Sequence, residues 1–109
     1  MEQDYNTAWI SEHSLIEEKL LGSLLIYPSF IEKCYEIIDE TDFWNNEYKE
    51  LFKEIYERFL KNEEINLIDL TDKFKASFLT ELASKGELID VKKLAQRIKK
   101  NSISRKLYK

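Results

Sequence analysis

The sequence predicts an all-α fold, a compact six-helix bundle that ends in a helical hairpin or a protruding C-terminal helix. Three observations carry this. Two Gly and one Pro in 109 residues are too few turn residues for a sandwich, a barrel or a dinucleotide-binding fold. A content of 43% hydrophobic residues, with six Phe, six Tyr and two Trp, is enough to bury a core. Apolar residues recur three and four apart in successive segments, the period of helices with one buried face.

Ser14 and Glu17 have the spacing of a capping box, so the first helix is expected to start there, with residues 1–13 a flexible arm. Leu20, Leu21, Leu24 and Leu25 form its apolar face, and Gly22 within that face predicts close approach of another helix. Pro28 ends the helix and, with Ser29, starts a second whose apolar side holds Phe30, Ile31, Cys34, Tyr35, Ile37 and Ile38. An acidic turn, residues 39–42, leads to Phe43 and Trp44 as anchors. Asn45 or Asn46 then caps the most amphipathic helix, which carries Leu51, Phe52, Ile55, Tyr56, Phe59 and Leu60. Asn66 is placed to cap a fourth helix with Asp69 in its first turn and Leu67, Leu70 and Phe74 as its stripe. A fifth runs over about 76–84 with Phe78, Leu79 and Leu82, and Gly86 is expected to end it in a left-handed conformation. Asp90 caps the last helix, where Val91, Leu94, Ala95, Ile98, Ser102 and Leu107 keep a 3.6-residue period. That pattern still runs at Lys109, which suggests a fragment cut inside a longer protein. The bundle therefore spans 14–89, and 90–109 is a basic terminal helix, part of a truncated hairpin.

Charge divides the chain. Residues 1–60 hold 14 acidic and 5 basic side chains, residues 61–109 hold 7 and 12, and no acidic residue follows Asp90. The basic terminal stripe reads as a solvated helix face, as a contact with the acidic half of a neighbouring subunit, or as a phosphate-backbone contact. Trp9, Tyr27, Trp44, Tyr48, Tyr56 and Tyr108 fit a core or a protein interface better than a base-stacking platform, because the half that holds most of them is acidic.

Catalytic chemistry finds no footing. Two separated Gly residues exclude a phosphate-cradling loop, and one Cys with one His cannot build a tetrahedral zinc site. His13 and Ser14 are adjacent on a helix and point apart, so they make no nucleophile pair. Cys34 lies between Ile31 and Ile37, where an inert buried thiol is expected. The acidic pairs Glu17-Glu18, Asp39-Glu40 and Glu63-Glu64 read as solvated surface. No apolar run approaches the ~20 residues of a membrane span, the polar start is no signal peptide, and a single Cys suits a reducing compartment, so the cytoplasm is the expected location.

Several strings go beyond composition. Glu18-Lys19-Leu20-Leu21-Gly22-Ser23-Leu24-Leu25 with Pro28 following, then Asp42-Phe43-Trp44 before Leu51-Phe52, then residues 65–70, Ile-Asn-Leu-Ile-Asp-Leu, occur in one order, and residues 98–107 close it. In that order they resemble the N-terminal domain of DnaB-type replicative helicases. Asn46 and Tyr48 stand where that family often has Pro and His, Asn66 replaces a common Asp, and the stretch between Phe74 and Ile98 is short for its hairpin. The resemblance implies a non-catalytic collar domain that dimerises, three dimers forming one tier of a hexamer, and that docks the primase C-terminal domain and a helicase loader. It implies no cofactor in this fragment, ATP and Mg²⁺ in the attached motor of the parent, weak or indirect DNA contact, and no membrane. On that reading Leu20, Leu21, Leu24, Phe52, Ile55 and Phe59 hold the core. Ile98, Ile103, Leu107 and Tyr108 form the self-association surface, and Arg97, Lys99, Lys100 and Arg105 meet a partner or DNA. The helicase-binding C-terminal domain of DnaG-type primases, which resembles the same helical fold, is the alternative, and an unrelated nucleic-acid-binding helical domain ranks third.

Overall fold

The computed structural model describes residues 2–107, and side chains from Glu12 onward. Among them are six α-helices: α1 (Glu2–Ile26), α2 (Ile31–Cys34), α3 (Asn46–Leu60), α4 (Leu67–Leu70), α5 (Ala76–Ser84) and α6 (Val91–Leu107). Short 3₁₀ turns at Pro28–Phe30 and Glu40–Asp42 precede α2 and α3. The chain is all-helical, as its turn-poor composition requires.

The first helix starts at Glu2, not at Ser14, so residues 2–13 continue the helix instead of forming an arm. No Gly or Pro interrupts that stretch, and His13, Glu17 and Leu20 lie on one buried face. Ser14 consequently sits mid-helix, and the carboxylate of Glu17 is used elsewhere. Helix α2 is shorter than its apolar pattern implies, although the amides of Ile37 and Ile38 both return to the carbonyl of Cys34 and keep the chain turning.

Asn45 is the cap of α3. Its side chain accepts from the amides of Glu47 at 2.8 Å and Tyr48 at 3.2 Å. At the other end Asn62, with φ of 61°, takes the left-handed position, and the Glu63 amide reaches the carbonyl of Arg58 at 2.8 Å. This closes α3 with a Schellman-type cap. Asn66 caps α4 as its sequence predicts, accepting from the amide of Asp69 at 2.8 Å. Asp90 does the same for α6 through the amide of Lys93 at 3.3 Å.

The core joins Leu20, Leu21 and Leu24 of α1, Ile31 and Cys34 of α2, and Leu51, Phe52 and Ile55 of α3. Leu70, Leu79, Val91, Ala95 and Ile98 complete it, and Phe59 packs against it half-buried. Of the predicted core residues, Leu20, Leu21, Leu24, Phe52 and Ile55 are buried, and Phe59 flanks them. Leu60 is the exception on the α3 stripe, 60% exposed at the helix end.

Helix α1 packs chiefly against α5 and α6. Where it passes the end of α5 the two backbones touch: a Cβ on Gly22 would lie 2.1 Å from the carbonyl oxygen of Leu82 and 2.8 Å from the amide nitrogen of Gly86. Gly22 thus has the role its position predicts. Gly86 does not adopt a positive φ, which corrects the left-handed cap expected of it; it is glycine because a Cβ there would lie 2.3 Å from the carbonyl oxygen of Gly22.

Candidate interaction site on the terminal helix

Beside its core residues Val91, Ala95 and Ile98, helix α6 is held to the bundle by a buried carboxylate. Asp39 caps the turn Glu40–Asp42, and the carboxylate of Asp42 accepts the amide of Asp39 at 3.0 Å, which aims it inward. Asp42 is fully buried. Three side chains one turn apart on α6 converge on it: Ser102 Oγ donates at 2.8 Å, Lys99 Nζ lies 3.3 Å away and Lys106 Nζ 3.7 Å away. Burial alone would raise the carboxyl pKa, but the Asp39 amide, the Ser102 hydroxyl and the Lys99 ammonium outweigh it and hold Asp42 below the usual carboxylate range.

The same turn is gripped through its backbone. Arg105 donates from Nη2 to the carbonyl oxygen of Asp42 at 2.7 Å, and its Nη1 lies 3.0 Å from Nδ1 of His13. A guanidinium only donates, so Nδ1 is the acceptor and the imidazole is neutral with its proton on Nε2. Burial first, and then the Arg105 charge, push the His13 pKa down in agreement.

From the other side α1 holds the entry to α3. Glu17, 2% exposed, accepts the amides of Trp44 at 2.8 Å and Asn45 at 3.4 Å, and burial pushes its pKa up against those two hydrogen bonds. Next to Asp42 in the chain, Phe43 packs on Phe52 with the rings tilted by 33° and their centres 5.0 Å apart. Glu18 receives the hydroxyl of Tyr48 at 2.9 Å and the ammonium of Lys85 at 3.2 Å. The reading of Glu17 and Glu18 as solvated surface is therefore corrected: both tie elements together.

These contacts sort the predicted surface. Ile98 is 1% exposed and belongs to the core, because the face that carries it is the one packed on α1 and α2. It is no part of a self-association surface. Lys99 and Arg105 are taken up by Asp42 and His13, and Arg97 pairs with Glu12 at 2.6 Å on the surface. Lys100 is exposed with no ion-pair partner among the described residues, as are Lys92 and Lys93. Ile103 and Leu107 are 48% and 75% exposed and follow each other by one turn. Tyr108 lies outside the described residues. What α6 offers a partner is thus Lys92, Lys93, Lys100, Ile103 and Leu107.

Among the described residues, no group of three or more His, Cys, Asp or Glu is placed to hold a metal ion, and no helix is long and apolar enough to cross a membrane. Cys34 is buried and its thiol is pushed up to about 12 by that burial, so it is held as the unreactive thiol.

The model of the family described as the DnaB-like helicase N terminal domain matches residues 11–81, the stretch from α1 into α5. The replicative DNA helicase DnaB of Rhodothermus marinus is 26% identical over 83 residues, which cover 76% of this chain and 9% of that protein. The chain therefore spans about a tenth of the length of this relative. No solved structure matches it significantly.

Proposed function

Since the chain belongs to the DnaB-like helicase N-terminal domain family, we propose that it is the non-catalytic collar of a replicative helicase, assembling with copies of itself through the outer face of α6 and docking a primase. The family match and the matched relative are both on the helicase side, which favours this over the primase-side alternative. One observation supports α6 as the surface: it is bound to the bundle along one face by Asp42, yet Ile103 and Leu107 remain exposed on the other. Apolar side chains spaced by one turn on an anchored helix form a rigid strip that association would remove from water.

In this reading the parent carries an ATPase domain that uses ATP and Mg²⁺, and works in the cytoplasm. Any DNA contact through α6 falls to Lys92, Lys93 and Lys100 where another copy leaves them free, because Arg97, Lys99, Arg105 and Lys106 are engaged within the chain. Light scattering of the chain and of an Ile103→Asp, Leu107→Asp variant tests the surface. The variant is expected to be monomeric where the parent chain is not; an unchanged mass overturns the assignment. Calorimetric titration with the C-terminal domain of the primase from the same organism tests the docking, and absence of binding overturns it. A parent reading frame without a GxxxxGK[ST] loop after this region overturns the helicase reading.

A further inference from the structure

A groove of about 520 Å³ runs along the outer face of α3, lined by glutamates 47, 50, 54 and 57, by Lys53 and Lys73, and by Asn46 and Phe74, so it stays net acidic. Glutamates 47, 50, 54 and 57 recur three and four apart, so they form one stripe. Glu54 is neutralised by Arg58 at 2.7 Å and Lys73 at 2.8 Å. Glu47, Glu50 and Glu57 have no ion-pair partner among the described residues. The stripe continues beyond the groove to Leu60, 60% exposed.

Helix α6 carries the complement in the same order. Lys93 and Lys100 are exposed and unpaired, and Ile103 follows at 48% exposure. The spacings are identical: seven residues and then three separate Glu50, Glu57 and Leu60, and seven and then three separate Lys93, Lys100 and Ile103. Both helices therefore place charge, charge and apolar side chain at intervals of about 10.5 Å and about 4.5 Å. No ion pair within the described chain joins these two stripes.

We propose that the α3 groove of one copy of this chain receives the outer stripe of α6 of another copy, the two helices parallel, with Lys93 on Glu50, Lys100 on Glu57 and Ile103 against Leu60. The inference rests on the reading that α6 is a self-association surface and names what that surface meets. An antiparallel helix would set Ile103 against Glu47 and leave Leu60 uncovered, which is why the parallel register is the one chosen. Two exposed charge pairs hold weakly and are screened by salt, so the contact is a salt-sensitive one.

Sedimentation equilibrium of the whole chain in about 50 mM salt tests this with two charge reversals, Glu50→Lys with Glu57→Lys, and Lys93→Glu with Lys100→Glu. All four residues lie outside the core, and circular dichroism verifies that the variants fold. Each reversed variant alone is expected to associate at least about tenfold more weakly. An equimolar mixture is expected to recover association, since each variant's groove then faces an oppositely charged stripe. A groove-reversed variant that associates as strongly as the wild type overturns this inference alone. Loss without recovery in the mixture also overturns it. A wild-type chain that stays monomeric up to about 1 mM overturns both this inference and the self-association reading beneath it.

Discussion

Replacing Gly22 by Ala tests whether the bundle depends on contact between bare backbones. The added Cβ would stand 2.1 Å from the carbonyl oxygen of Leu82, 2.8 Å from the amide nitrogen of Gly86 and 3.2 Å from its Cα. All three are backbone atoms, so no side chain can swing aside, and α1 must move about 1 Å from the end of α5 to restore van der Waals distance. That movement loosens the hydrogen bond from the Glu87 amide to Ser23 Oγ, 3.2 Å long, and the ion pair of Lys19 with Glu87. Overpacking costs about 1–3 kcal/mol, and a clash with backbone lies at or beyond the upper end. The gain in helix propensity from Gly to Ala is about 1 kcal/mol. The net loss is about 2 kcal/mol, which for a domain of this size lowers Tm by about 8–16 °C. Thermal unfolding followed by circular dichroism reads it. Gly86→Ala drives its Cβ into the same gap from the other side, 2.3 Å from the carbonyl oxygen of Gly22. One separation relieves both clashes, so the double variant should lose less than the sum of the singles. A Gly22→Ala protein as stable as the wild type, or strictly additive losses, would refute the reasoning.

Two further perturbations separate anchor from surface. Asp42→Asn removes the charge on which Ser102, Lys99 and Lys106 converge, and should cost about 2–3 kcal/mol in denaturant unfolding near pH 7, at the low end for a buried charge network because both lysines can return to water. The pH dependence has a definite sign. The carboxyl pKa of Asp42 is lower in the folded chain than in the unfolded one, so its contribution is fully present above about 4 and is lost as pH falls through the folded value. The Asn variant should therefore lose less stability on acidification than the wild type, and parallel pH profiles would count against the clamp. Ile98→Ala should cost about 2–4 kcal/mol while leaving the mass in light scattering unchanged. The reverse result, a changed mass with undiminished stability, would return Ile98 to the surface.

Much of the fold is legible because its signals are local. Asn45, Asn66 and Asp90 cap the helices that follow them, and each cap needs only residues within three positions. Gly22 inside an apolar helical face was enough to predict a close crossing. Signals failed where a local motif had a distant competitor. Ser14 and Glu17 have capping-box spacing, but Glu17 is drawn to the amides of Trp44 and Asn45, and the helix runs on upstream. Gly86 looks like a left-handed cap, and its partner is Gly22, far away in sequence. The self-association stripe fails in part for a similar reason: period alone does not say which face of α6 points inward, and Ile98 is buried while Ile103 is exposed.

The division of charge along the chain follows the same logic. A net-acidic first half and a net-basic second half look like an invitation to a separate partner, yet the basic half meets the acidic one within the chain: Asp42 with Lys99 and Lys106 and Glu12 with Arg97 on α6, and Glu18 with Lys85 at the end of α5. The pairing is also selective. The residues of α6 that face the bundle find acids there, while Lys93 and Lys100 on the outer face have none, and the stripe of α3 that holds Glu50 and Glu57 is outward as well. In the proposed contact these opposite charges, kept apart within one chain at equal spacing on two helices, meet between chains. On that proposal the split that closes the fold also leaves a complementary remainder for assembly, and the reciprocal charge reversal tests it without disturbing Asp42.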